Sequence, residues 1–199
     1  MLLHDNKQNE VSFLYTPAAS LRFTDANKAY TNVTAFFSTN INEARVTSID
    51  RRTSYNSEHQ ASIPALREDI VKKYGAPSYI DEKNGQLQMY FVWYRGKRVQ
   101  LSRQAVSAER FIKVGSPAHC MNISPPQQYS YGKKDIYANC TTLIAVTISE
   151  GRRKDLALTL NIFMQDHKRF AKNARDTDAW LDAEMKKRVE GQKGVRSRL

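Results

Sequence analysis

The chain has little glycine or proline, two cysteines and no long apolar run, and each shortage removes a class of protein. Eight Gly and six Pro in 199 residues exclude a collagen-like or low-complexity chain. No apolar stretch approaches the roughly 18 residues of a membrane-crossing helix. The opening MLLHDNKQNE has no extended apolar core and does not read as a signal peptide, so an exported form would have lost its leader. Gly-rich phosphate loops, a Gly-x-Ser-x-Gly elbow and CxxC pairs are all missing. His4, His59, His119 and His167 stand apart from one another, and none sits at a metal-ligand spacing from a second ligand. No metal and no cofactor is expected.

What is present describes a packed, basic domain. Ten Tyr and eight Phe argue against disorder, which goes with few aromatics. The length suits one substantial core. The net charge is +11, from 31 Lys and Arg against 20 Asp and Glu. Such an excess attracts nucleic acid, anionic polymers or acidic partners, or is simply a solvated surface. Residues 151–199 carry 13 of the basic residues and 7 of the acidic ones, so the excess is spread rather than packed into a tail. Cys120 and Cys140 flank a Pro- and Tyr-rich stretch. They are read as a disulfide or as two buried thiols. A bond would close a loop of about 20 residues, worth roughly 3 kcal/mol in the chain-entropy model. It would also place the protein in an oxidising compartment such as a periplasm, whereas free thiols leave a cytoplasmic location open.

The strongest local pattern runs from Ser62 to Leu101. Ser62 is a candidate N-cap, and Pro64 falls in a first helical turn, where a missing N–H costs little. Leu66, Ile70, Val71 and Tyr74 form one stripe. Gly75 and Pro77 stop the helix, predicting it over about 63–74. Tyr79-Ile80, the turn signal Asn84-Gly85 and the alternating QLQMYFVWY of 86–94 predict a hairpin with Leu87, Met89, Phe91 and Trp93 on one face. Arg95-Gly96-Lys97-Arg98 is a basic turn, and Arg98–Ala105 reads as its return strand. Cys140–Ser149 and Leu156–Met164 predict a second hairpin around the charged turn 150–154. Strands are expected at 11–15, 31–39 and 45–55, and 110–114 is read as a strand. Residues 21–30 are ambiguous between a short helix and a turn, and 1–10 read as frayed. The segment 166–174 is either a loop or the start of a final helix. That helix is expected over about 176–189, with Gly191 ending it before a basic tail. The fold class is α+β: a mostly antiparallel sheet with the 63–74 helix packed on it and a C-terminal helix. Residues 1–175 form one domain, and 176–199 form the helix and tail.

Two candidate sites emerge. Arg51, Arg52, Arg95, Lys97, Arg98, Arg152, Arg153 and Lys154, together with Lys168–Lys172, sit in turns and at strand ends. With Tyr55, Tyr90 and Tyr94 they resemble a basic, stacking-capable sheet face. The plainer reading is that the tyrosines pack and the cations solvate. Asp166-His167 follows the late hairpin, where acid–base chemistry of a hydrolase or nuclease-like toxin is conceivable, although a polar turn is the commoner occupant.

The run Val46-Thr47-Ser48-Ile49-Asp50-Arg51-Arg52, followed by Ala65–Pro77 with its Lys73-Tyr74-Gly75-Ala76-Pro77 ending, resembles uncharacterised proteobacterial envelope proteins. In those proteins a strand precedes a helix closed by a Lys-Tyr-Gly-x-Pro turn. A tryptophan-bearing strand follows, here with Trp93, and later a cysteine before a final hairpin, here Cys140. The likeness spans about 45–165. It implies a periplasmic setting and supplies no catalytic residues. The favoured function is therefore a non-catalytic binding or structural domain of a bacterial envelope or secretion-type assembly, with a protein partner. Nucleic-acid or anionic-polymer binding and the hydrolase are the alternatives.

Overall fold

A computed structural model describes residues 2–4, 10–12, 18–25, 28–39, 44–111, 113–122 and 139–196, with backbone alone at 2–4, 10–12 and 191–196. Strands β1 (Leu2–His4), β2 (Glu10–Ser12), β3 (Ala18–Thr24), β4 (Tyr30–Phe37) and β5 (Val46–Ser54) lead to helix α1 (Ile63–Tyr74). Strands β6 (Tyr79–Lys83), β7 (Gln86–Tyr94) and β8 (Lys97–Arg98) come next, then the short helix α2 (Arg103–Glu109). A single 3-10 turn at His119–Met121 precedes β9 (Cys140–Glu150), β10 (Ala157–Asp166) and helix α3 (His167–Arg196). Among the described residues no helix is long and apolar enough to cross a membrane. The Thr16-Pro17 break and the Pro- and Tyr-rich stretch 123–138 lie outside the described residues.

The fold is α+β, built on an antiparallel sheet of eight strands in the order β3-β4-β5-β10-β9-β7-β6, with β8 paired to β7. Residues 2–4, read as frayed, instead pair with 10–12 in a separate small ladder. The expected hairpins form in the expected places. Asn84 and Gly85 both take positive φ, 52° and 72°, as a two-residue type I′ turn requires. Arg95 and Gly96 repeat that geometry at 50° and 78°, so β8 is the true return strand. It is only two residues long, not the strand expected through Ala105. The Ser102 hydroxyl accepts from the Ala105 amide and starts α2 instead. The described part of 110–114 is turn, not strand.

One face of the sheet is packed by α1. Ile70, with Leu66, Tyr74 and Ile63 beside it, meets Leu87, Met89 and Phe91 of β7, Ile144, Val146 and Ile148 of β9, and Leu160 and Ile162 of β10. The alternation of QLQMYFVWY therefore decides the packing, as period-2 strands do when one face is buried. α1 ends at Gly75, whose amide donates to the Val71 carbonyl with φ at 79°. A side chain there would also collide with the Arg98 guanidinium, 2.7 Å from the position a Cβ would take.

Arg98 locks this corner. One of its terminal nitrogens donates to the Tyr74 carbonyl at the end of α1. Its guanidinium lies 4.7 Å from the Trp93 ring centre and 5.1 Å from that of Phe91. A cation–π contact contributes about 0.5–2 kcal/mol, and a charged hydrogen bond adds about 1.5 kcal/mol or more. Arg98→Met is expected to lower stability by about 2 kcal/mol at unchanged denaturant slope, measured by urea unfolding. A loss below about 0.5 kcal/mol, the level of an ordinary surface change, would remove this role.

The opposite face is packed by α2 and the 3-10 turn. Val106, Cys120 and Met121 join Tyr90, Val92, Leu143, Ala145 and Phe163 in a second buried cluster. Cys120 and Cys140 are disulfide-bonded, with Cα atoms 5.5 Å apart. Arg110 fixes the turn from the side: it bonds Asn122 and the Tyr90 hydroxyl and lies over the Tyr90 ring.

The C-terminal helix expected over 176–189 lies inside α3, which begins at His167 with no loop after β10 and continues through Gly191 to Arg196. An internal glycine costs a helix only about 1 kcal/mol, and neither Gly191 nor Gly194 ends this one. The boundary drawn between 175 and 176 falls within the helix. Its buried positions are His167, Ala171, Ala174, Thr177, Asp178 and Leu181, spaced mainly four and three apart as a packing seam requires. Thr39 ties it down through Asn173 and Thr177.

Candidate partner-binding surface

The eight expected cations do not converge. Arg51 and Arg52 are neighbours on β5, so their side chains leave opposite faces of the sheet. Arg95 and Lys97 lie where β7 ends beside Cys140, whereas Arg152, Arg153 and Lys154 lie at the far end of the same ladder, where β9 turns into β10. Arg153 donates to the Ser57 carbonyl. Arg98 holds the end of α1, as described above. Tyr90 is buried in the second cluster, and Tyr55 and Tyr94 are half-buried against different clusters.

Cations do gather at the head of α3. Arg45, Lys168, Arg169, Lys172 and Arg175 line a cavity of about 640 Å³ together with Asp166 and Asp176. Arg169 bonds the Val46 carbonyl and pairs with Asp166, and Lys172 pairs with Asp176. Five cations against two carboxylates give this lining a net positive charge, which suits charge-assisted contacts to an anionic group. Asp166 and His167 part company here. Asp166 faces this cavity and caps α3 by accepting from the Arg169 amide. His167 is fully buried, at 0% exposure, with Nε2 bonded to the Cys120 carbonyl at 3.2 Å. Burial lowers its pKa to about 4, against smaller upward pulls from that bond and from Asp166. Among the described residues no cluster of His, Cys, Asp or Glu is placed to hold a metal.

A different surface lies at the β3 end of the sheet. A helix is about 10 Å across and covers two or three strands at a spacing of about 4.8 Å. α1 packs on β7, β9 and β10; on the same face of β3, β4 and β5, Thr31, Thr47 and Thr53 are buried, whereas Leu21, Phe23, Ile49 and Arg51 remain exposed. The ladder registers form the rows Leu21–Val33–Arg51 and Ala19–Ala35–Ile49. Phe23 flanks them on the same face. Leu21 is 65% exposed, Phe23 42% and Ile49 37%, which makes three large apolar side chains in one patch rather than scattered singly. β3 is also the end strand of the sheet. Its outer edge carries no described partner, a condition that natural sheets usually blunt.

Sequence reading missed this patch because residues 21–30 look ambiguous in isolation. The available signal is the alternation of Leu21 and Phe23 with Ser20, Arg22 and Thr24. That alternation identifies a strand, but which faces are covered depends on the reach of α1, encoded forty residues later. Comparison of the chain with protein families, curated proteins and solved structures finds no match.

Proposed function

We propose that this chain is a non-catalytic binding domain of a bacterial envelope, and that it docks a protein partner on the open half of its sheet. The observation that carries the reading is the exposed apolar group Leu21, Phe23 and Ile49 at the β3 end of the sheet, where β3 has no partner on its outer side among the described residues. Large apolar side chains grouped on a rigid strand face are an interaction surface more often than an accident. The compartment is supported by the Cys120–Cys140 disulfide, which persists where thiols are oxidised, and by the resemblance to envelope proteins. Cytoplasmic placement is the alternative that a reduced pair would favour.

A photo-cross-linking apolar residue placed at Leu21 in the native host tests it. One discrete adduct is expected, and Phe23→Asp should abolish it while shifting the melting temperature by only about 2 °C, as a surface change does. The same residue placed at Phe111, which is exposed but off the sheet, should give no matching adduct. The reading falls if no adduct forms, if Phe23→Asp leaves it intact, or if Phe111 gives the same one.

A further inference from the structure

The patch and the strand edge beside it restrict what can occupy them. At the β3–β4 turn the Asp25 amide donates to the Ala29 carbonyl at 3.0 Å, and the pairing continues without a shift through Thr24–Tyr30 to Ala18–Phe36. In an antiparallel ladder, bonded and non-bonded pairs alternate. Ala19, Leu21 and Phe23 therefore bond inward to β4, whereas Ser20, Arg22 and Thr24 direct their N–H and C=O groups away from the sheet. The same alternation sorts the side chains. Ala19, Leu21 and Phe23 share one face with Thr31, Val33, Ala35, Ile49 and Thr53, and with the exposed Arg51 beside Val33. Ser20, Arg22 and Thr24 share the other face with Asn32, Thr34, Asp50 and Arg52.

Taking the open half-face as the docking surface, we infer that its occupant is an extended peptide segment of a partner protein, alternating apolar and acidic residues, which adds to β3 as a further strand. The outward main-chain groups of β3 supply the ladder, as they do in strand addition generally. The segment's apolar side chains lie beside Leu21 and Phe23, and its carboxylates lie beside Arg22 on the other face. Cross-strand pairs of these kinds are what stabilise adjacent strands on one face. A second copy of the chain fits less well. In the registers of fullest overlap with both apolar faces aligned, the two Arg22 side chains lie opposite or diagonal, within about 8 Å, and each copy carries +11.

The test uses the whole protein and two peptides as long as β3, both with blocked ends. One alternates valine with glutamate, the other valine with lysine. Amide resonances of β3 are followed to millimolar peptide. The glutamate peptide is expected to shift Ser20, Arg22 and Thr24 and to bind more weakly as salt is raised. The lysine peptide is expected to bind at least about tenfold less well, the ratio that roughly 1.4 kcal/mol represents. Ser20→Pro removes one outward N–H and leaves the main-chain bonds to β4 in place, losing besides only the exposed Ser20–Thr34 hydroxyl contact; edge strands tolerate such a change, and it should abolish both the peptide shifts and the Leu21 adduct. Strand addition is overturned if the glutamate peptide leaves β3 unshifted, if both peptides bind alike, or if concentration-dependent self-association protects β3. An adduct that survives Ser20→Pro but not Phe23→Asp would overturn strand addition and leave the docking surface standing. An adduct that survives both would overturn the docking surface itself.

Discussion

Replacing Cys120 and Cys140 together with alanine is expected to lower stability by about 3 kcal/mol, the chain-entropy value for a loop of this length. For a chain of this size that is a fall in melting temperature of roughly 6–12 °C. The bond joins the 3-10 turn to the first residue of β9, both inside the second buried cluster. That turn also presents the Cys120 carbonyl to His167, so the bond supports the surroundings of the α3 origin as well as its own loop. Thermal melts with and without reductant check the point. Reductant should lower the wild-type transition toward that of the double variant and leave the variant where it is. A double variant within about 1 kcal/mol of wild type would mean that other contacts hold the turn in place.

The second large effect concerns acid. His167 has a folded-state pKa of about 4, whereas an unfolded histidine titrates near 6.5. The unfolded chain therefore takes up a proton at a pH where the folded chain does not. The stability that follows is fully present above about pH 6.5 and is lost as pH falls toward about 4. The loss approaches roughly 3 kcal/mol across the window and is about 2 kcal/mol at about pH 5. Carboxylates titrate as well, so the informative quantity is the difference between wild type and His167→Gln. The glutamine amide can still donate toward the Cys120 carbonyl, but it does not titrate. His167→Gln is expected to be somewhat less stable than wild type near neutrality and to equal or exceed it by about pH 4.5. Urea unfolding across the pH range would show the two curves converging. Parallel curves would show that His167 does not titrate as described.

How much of this was legible in the sequence depended on whether the signal was local. Pro64, Gly75, Asn84-Gly85 and the alternation through 86–94 each constrain their own few residues, and the helix, turn and strand all lie where those signals put them. The α3 origin was harder. Asp166 and His167 are polar, and a polar pair after a strand reads as a turn. In the fold one caps the helix and the other is buried beneath it, so the chain changes from strand to helix without a break. The return strand expected through Ala105 failed for a similar reason. Val99 and Leu101 have the right alternation, but Ser102 offers an N-cap immediately afterward. The basic residues illustrate the limit most clearly. Arg98 and Arg95 look equivalent in the sequence, yet one is held between two rings and a helix end while the other stays exposed at the tip of its turn. Only the register of β7 with β8 separates them.

The uninterrupted passage from β10 into α3 also has a mechanical meaning. A helix of 30 residues is a rod of about 45 Å, and Leu181 is its last fully buried position among the described side chains. β10 is paired on both sides, to β5 and to β9. A pull along the far end of α3 is therefore transmitted, without a slack loop to absorb it, to an interior strand. That strand can yield only by breaking two ladders together. The C-terminal rod and the centre of the sheet therefore take tension together, while β3, three strands away at the end of the sheet, lies off that line of force.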